Sequence, residues 1–323
     1  MNIVEFAKLA NLSTATISRA FHEPDKIRSA TRERVLSLAD QIGYYPSATG
    51  RALVRGRHDV MGVVWPLEVE GPEALFAHRF LGAFAEQLVR DDLDLLICPV
   101  DRSQPSTIDH ARRTIQRGRC DAWILLYPRQ NDALIDALAF GRKPVICVMG
   151  EITDCPAWKS VSLDQNAWID TALQMLKRKG ALRVLFLGCR KEEPDHMERL
   201  TAFSNLAPDY FGTEFLTLPD WPLDPGKVSS LLSTGGIDAI IGVDDAAALV
   251  AVKACQAAGL PIPGKVQIIG IDDSANAATS TPPLTTFRQP LDEMAACSVE
   301  LALGRRVHSG KFKATLIPGG SVR

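Results

Sequence analysis

Asn2-Ile3-Val4-Glu5-Phe6-Ala7-Lys8-Leu9-Ala10-Asn11-Leu12-Ser13-Thr14-Ala15-Thr16-Ile17-Ser18-Arg19-Ala20 reads as two short helices joined by a sharp turn. Asn2 with Glu5 three residues on is a capping-box pattern, and it places an acid at the positive end of the helix. Ile3, Phe6, Ala7, Leu9 and Ala10 recur at helical spacing. Asn11 tolerates the left-handed backbone that a helix-to-helix turn needs. Ser13 can cap a second helix over residues 14–21, with Ile17, Ala20 and Phe21 facing inward, before Pro24-Asp25 ends it. A third helix is expected over residues 30–42, capped by Ser29, stopped by Gly43, and apolar at Val35, Leu36, Leu38, Ala39 and Ile42. This is the helix-turn-helix plan, in which the second helix enters the major groove of DNA. A generic three-helix bundle with polar outer faces shares the pattern.

On that plan Thr14, Ala15 and Thr16 lie nearest the base edges and Arg19 reaches from the next turn. An arginine there can grip guanine bidentately, and an alanine can touch a thymine methyl. Ser13, Ser18, His22, Arg28 and Tyr45 complete the candidate DNA contacts. Charge supports the reading. Residues 1–58 hold nine bases and five acids, a balance of +4, while the whole chain of 323 residues stands at -2, leaving the remainder at −6. A basic head on an acidic body points to a polyanionic partner for the head alone.

The quoted stretch resembles the headpiece of the LacI/GalR family of transcriptional regulators. Thr31-Arg32-Glu33-Arg34-Val35 and Ile42-Gly43-Tyr44-Tyr45-Pro46-Ser47 continue the resemblance at the same spacings. His22 stands where the family commonly has Asn, and Asn11 where Gly is common. Ser47-Ala48-Thr49-Gly50-Arg51-Ala52-Leu53 then resembles the family's hinge helix, which implies that Leu53 wedges into the minor groove. An apolar wedge unstacks one base step at a cost of a few kcal/mol, and the bend brings more phosphate into contact. Gly50 and Thr49 make the segment a poor autonomous helix, so it is expected to order only when two copies meet on DNA.

From Asp59 onward apolar strands alternate with amphipathic helices. Strands are expected over residues 61–65, 93–99, 122–127, 145–149, 160–163, 184–188, 214–218, 239–243 and 266–271. Helices are expected over about 75–91, 106–118, 131–141, 166–179, 195–206, 226–234 and 245–258. The alternation is that of α/β parallel sheets, and two sheets suit the strand count better than one. Ligands of such sheets bind in the crevice at the carboxyl ends of the strands.

The family resemblance extends here through Leu75-Phe76-Ala77-His78-Arg79-Phe80-Leu81-Gly82, Ile262-Pro263-Gly264-Lys265-Val266-Gln267-Ile268-Ile269-Gly270-Ile271-Asp272-Asp273 and Thr281-Pro282-Pro283-Leu284-Thr285-Thr286-Phe287-Arg288-Gln289-Pro290-Leu291. It implies an all-α helix-turn-helix headpiece (1–45), a hinge and linker (46–58), and a two-lobed periplasmic-binding-protein-like domain of doubly wound parallel sheets (59–323). The near lobe would hold about 59–159 and 290–315, the distal lobe about 160–289 and the tail. The family's effector cleft implies Arg199, Asp272, Asp244, Trp221 and Gln289 as ligand contacts, with Phe76 as an apolar one. That set suits a polyhydroxy ligand: carboxylates accept from hydroxyls, Arg donates to ring oxygens, and an indole face stacks on the C–H face of a sugar. Asp244 and Asp272 oppose a polyanionic ligand unless further Lys or Arg enter the cleft. Asp245 is expected to cap a helix.

Other classes fit poorly. At 46% hydrophobic and 23% charged, the composition is that of a globular protein. No apolar run approaches the roughly 18–20 residues of a membrane span, and Met1-Asn2-Ile3-Val4-Glu5 lacks a signal-peptide start. Seven scattered cysteines without a C-x-x-C fit reduced thiols of a cytoplasmic protein, with no metal site. Gly259-Leu260-Pro261-Ile262-Pro263-Gly264-Lys265 matches a phosphate loop in spacing, but Val266 replaces the required Ser/Thr and a strand follows. Neither a catalytic motif nor a cofactor motif is present, so no catalytic residue and no cofactor is expected. The expectation is a cytoplasmic homodimeric repressor that binds pseudo-palindromic operator DNA and responds to a sugar or sugar derivative. The rival readings are a co-repressed or activating regulator with a purine-like ligand, and a sugar-binding α/β protein that does not bind DNA.

Overall fold

The computed structural model describes residues 1–45, 56–67, 74–234 and 236–323. Leu53 and the expected hinge helix lie outside the described residues, as does the side chain of His22. The chain divides into two compact units, Met1–Asp59 and Val60–Arg323.

The first unit holds α1 (Ile3–Ala10), α2 (Thr14–His22) and α3 (Ser29–Ile42). Local chemistry explains each boundary. The Asn2 side chain accepts from the backbone of Val4 and Glu5, and Glu5 returns a bond to the Asn2 N–H at 2.9 Å, completing the capping box. Asn11 is left-handed (φ 52°) and donates to the carbonyls of Ala7 and Lys8, closing α1. Ser13 accepts from the Thr16 N–H at 3.1 Å, opening α2. Ser29 is not the cap of α3 but its first residue. The capping position falls to Arg28, whose extended backbone carbonyl takes the first helical bonds without help from a side chain. Phe6, Ile17, Ala20, Val35 and Ala39 form the core, and Phe6 stacks on Tyr44 with ring centres 4.2 Å apart.

The second unit begins with β1 (Val60–Pro66), α4 (Ala74–Arg90), β2 (Asp94–Val100), α5 (Pro105–Gln116), β3 (Ala122–Leu126), α6 (Ile135–Phe140), β4 (Val145–Val148) and β5 (Lys159–Leu163). It continues with α7 (Gln165–Arg178), β6 (Val184–Leu187), α8 (Pro194–Phe211), β7 (Phe215–Leu218), α9 (Pro225–Thr234), β8 (Ala239–Gly242) and α10 (Asp245–Ala257). β9 (Gln267–Ile269), α11 (Ala275–Thr279), β10 (Thr286–Arg288), α12 (Leu291–Ala302), β11 (Gly310–Phe312) and β12 (Thr315–Ile317) complete it. Among the described residues a six-stranded sheet runs β11-β5-β4-β3-β1-β2, and a four-stranded one runs β7-β6-β8-β9. Both are parallel; β10 and β12 pair antiparallel as a separate ribbon.

Three details depart from the sequence expectation. Residues 160–163 belong to the six-stranded sheet, where β5 pairs with β4 (Ile146↔Lys159) and β11 (Gly310↔Val161). Val161 packs into the first sheet's core and Leu163 into the second's, so the chain crosses after β5 and not before it. Helix α8 runs past residue 206 and through Pro208, because Phe203, Ala207 and Phe211 bury one face at i, i+4, i+8 and packing outweighs the local penalty. Helix α6 starts only at Ile135. Asp132 accepts from the Leu134 N–H at 2.9 Å and from Arg102 at 2.8 Å, which holds the preceding residues in a turn.

Candidate functional site

The first unit presents one polar helix face. On α2, Thr14, Ala15 and Arg19 are exposed and Thr16 and Ser18 partly so. Arg28 and Tyr45 are also exposed, Tyr45 by 79%. Ile17 and Ala20 are fully buried, so the helix is anchored on one side and free on the other. Ser13 is spent on capping and shares a further hydrogen bond with the Thr16 hydroxyl at 2.9 Å. The Arg19 and Arg28 side chains make no hydrogen bond or ion pair among the described residues.

In the second unit a nearly closed cavity of about 20 Å³ lies between the carboxyl ends of the two parallel sheets. Phe76, Arg199, Asp244, Asp272 and Gln289, all expected from the sequence, line it together with Tyr127, Met149, Arg190, Glu193, Asp195 and His196. An adjoining space, also of about 20 Å³, shares Phe76, Asp244, Asp272 and Gln289. Tyr127, Met149 and Asp272 stand just past β3, β4 and β9 with φ of 47°, 64° and 118°. Non-glycine residues in that region carry strain that surrounding structure must hold, and such strain concentrates at ligand sites. Tyr127, Met149 and Arg190 were missed in the sequence. The available signal was their place at or just past the carboxyl ends of predicted strands.

Each polar group is held by the fold. Arg199 is 2% exposed; it donates to the Val243 carbonyl at 2.8 Å and to Gln165 Oε1 at 3.2 Å, and pairs with Asp195 at 3.1 Å. Asp272 accepts from Gln289 Nε2 at 2.6 Å, and Arg79 on α4 donates to its carbonyl at 3.0 Å, clasping the two sheets' loops. Asp244, not Asp245, caps α10: its Oδ1 accepts from the Ala247 N–H at 2.7 Å. Asp245 is the first residue of that helix and ties the turn after β9 to β10, accepting from the Ser274 N–H at 2.8 Å and the Thr286 hydroxyl at 2.6 Å. A side chain at Gly270 would collide with the Asp245 carboxylate, so the Gly-x-Asp-Asp turn needs its glycine.

Trp221 is half-buried and does not line the cavity. The Arg190 guanidinium covers its ring, 3.8 Å from the ring centre, and both terminal nitrogens lie 3.2 Å from Asp244 Oδ2. Thus the two oxygens of Asp244 are engaged, one by the helix and one by Arg190. Asp195 Oδ1, Gln289 Oε1 and Gln165 Nε2, buried at or beside the cleft, lack a hydrogen-bond partner among the described residues.

Dense surroundings push Asp272 up to about 8, against the pull of Arg199, and Asp245 up to about 6. Burial, helped by the two arginines, holds His196 well below its ordinary value and therefore neutral. Glu193, Asp195 and His196 place ligand atoms within 4.8 Å of one another, as a metal site would. However, Arg190 lies 3.7 Å from Glu193 and 3.3 Å from His196 Nε2, and Arg199 takes Asp195. Two guanidiniums within the ligand set oppose a cation. No helix of the described residues is long and apolar enough to cross a membrane.

A helix-turn-helix unit carried on the same chain as a two-sheet ligand cleft defines a DNA-binding regulator with a small-molecule-binding domain. Residues 2–47 match the bacterial regulatory proteins of the lacI family, and residues 173–322 match the periplasmic binding protein-like domain. The chain is 27% identical over 312 residues to the transcriptional regulator GalR of Salmonella typhimurium, covering 93% of this chain and 88% of that one. It is 23% identical over 315 residues to the transcriptional repressor PurR of Aliivibrio fischeri, covering 94% and 91%. The Lac repressor bound to ONPG superimposes with a TM-score of 0.81 at 18% identity, over 100% of this chain and 99% of that chain. A CelR–cellobiose complex does so with a TM-score of 0.68 at 20% identity, over 99% of each. The chain thus joins a lacI-family DNA-binding domain to a periplasmic binding protein-like domain.

Proposed function

We propose that the protein is a cytoplasmic homodimeric repressor, released from its operator by a sugar or sugar derivative bound between the two sheets, and not an enzyme. The observation that carries the effector class is the pair of unpartnered acceptors, Asp195 Oδ1 and Gln289 Oε1, in a small cleft that also holds Asp272. Acceptors left buried without a donor cost free energy that a donor-rich ligand recovers. Hydroxyls satisfy these atoms directly, and the charges of Arg190 and Arg199 balance the carboxylates they pair with. Relatives of the same fold bound to ONPG, to cellobiose and to D-xylulofuranose agree with this class. Effector contacts would come from Phe76, Arg199, Asp272 and Gln289 of the expected set, joined by Arg190 and Asp195, while Asp244 is engaged by α10 and Arg190.

On the DNA side, Thr14, Ala15, Thr16, Ser18 and Arg19 would face the major groove, with Arg28 and Tyr45 on the backbone. Leu53 keeps its expected wedge role from sequence resemblance alone. A two-fold protein needs a two-fold site, hence a pseudo-palindromic operator. Val89 on α4 is 78% exposed and Ile97 on the edge strand β2 47% exposed, which suits a self-association face on the first sheet.

The test is fluorescence anisotropy of the full chain on its own upstream DNA, titrated with sugars, sugar acids, sugar phosphates and purines. Release by a sugar is expected. Tightening by a purine would make it a co-repressed regulator instead. Absence of sequence-specific binding in every condition would end the DNA-binding reading.

A further inference from the structure

In the expected cleft, Trp221 is the platform for a sugar ring and Asp244 an acceptor for its hydroxyls. The structure gives both to one side chain of the protein. Arg190, three residues past β6 and 7% exposed, lays its guanidinium on the Trp221 ring and directs both terminal nitrogens to Asp244 Oδ2. Its Nη1 also meets Glu193 at 3.7 Å and His196 Nε2 at 3.3 Å. The cavity is therefore walled by Arg190, with Trp221 behind it. A planar cation on an indole face, hydrogen-bonded at its edge to a buried carboxylate, satisfies these groups in the absence of any ligand.

We propose that Arg190 is the residue that sets effector specificity, acting as a built-in occupant of the Trp221 subsite. This rests on the sugar-effector reading and deepens it. A sugar entering the cleft meets Arg190, Arg199, Asp195, Asp272 and Gln289, and its ring does not stack on Trp221. The space left beside Arg190 is about 20 Å³, room for about one water molecule, so the cleft must widen to admit a sugar. Removing the guanidinium opens an aromatic surface that larger or differently shaped sugars can use.

The experiment is calorimetry on the full chain with glucose, galactose, ribose, cellobiose, maltose and melibiose as probes. Four proteins are compared: the natural chain, Trp221→Leu, Arg190→Ala/Asp244→Asn and the triple variant adding Trp221→Leu. Pairing Arg190→Ala with Asp244→Asn avoids a buried unpaired carboxylate, and near-ultraviolet circular dichroism checks that each variant is folded. In the natural chain Trp221→Leu should change the affinity of the sugar it binds by less than threefold. In the Arg190→Ala/Asp244→Asn background at least one sugar should gain tenfold or more, and Trp221→Leu should erase that gain. A tenfold loss from Trp221→Leu alone would mean that the ring stacks on the sugar and would overturn the proposal. So would a specificity pattern unchanged by removing Arg190. Sugar binding by none of the four proteins overturns the sugar reading and the role of Arg190 together, whereas binding with an unchanged pattern overturns the role of Arg190 alone.

Discussion

Asp272→Asn should flatten the dependence of stability on pH. The folded protein holds the Asp272 proton up to about 8, whereas an unfolded chain releases it near pH ~3.9. Between those values the native state binds more protons than the unfolded state, so stability falls as pH rises. At about 1.4 kcal/mol per pH unit, the window from pH 6 to pH 8 sets a ceiling of about 2–3 kcal/mol. Asp272 is closely surrounded yet partly accessible from the cleft. Water there screens the charge, and about 1–2 kcal/mol is the expected share. Asn cannot titrate, and its amide oxygen can keep the bond from Gln289 Nε2 that now measures 2.6 Å. Urea unfolding of both proteins at matched concentration, followed by tryptophan fluorescence at pH 6, 7 and 8, gives the comparison. Asp245, at about 6, titrates in both proteins and largely cancels. The variant should gain relative stability steadily from pH 6 to pH 8. A stability difference that stays constant across that range would refute the reasoning, because it would mean that Asp272 titrates alike folded and unfolded.

Arg19→Ala should relax preference at one base pair per operator half-site, at a cost of about 1–3 kcal/mol for the natural sequence; an unchanged selection profile would count against base reading. Phe6→Ala removes a fully buried ring stacked on Tyr44, and should cost the headpiece about 3–5 kcal/mol and abolish DNA binding while the sugar site survives. Calorimetric melting with sugar binding measured in parallel separates the two units. Arg199→Ala strips Asp195 of its partner in a buried setting, with an expected loss of about 3–5 kcal/mol in the second unit. A shift in its thermal transition worth under about 1 kcal/mol would show that the pair is not balanced as described.

The headpiece is legible residue by residue because its determinants are local. Asn2, Glu5, Asn11 and Ser13 act on neighbours two to four positions away, and the structure uses each of them as the pattern predicts. Strand and helix order in the second unit follows from hydrophobic periodicity for the same reason. What periodicity leaves open is set by pairings between distant positions. Nothing local tells Arg190 to meet Asp244, 54 residues on, or to cover Trp221. Nothing local assigns residues 159–163 to the first sheet either, since β5 finds β11 only after some 150 residues have folded back. The cleft was therefore legible, through the family resemblance, as a list of residues: Arg199, Asp244, Asp272, Gln289 and Phe76. Which of them stay free for a ligand was decided by tertiary packing, because a buried polar group takes whatever partner the fold brings within reach. Asp244 is consumed by α10 and Arg190, while Asp195 and Gln289 each keep an unanswered oxygen.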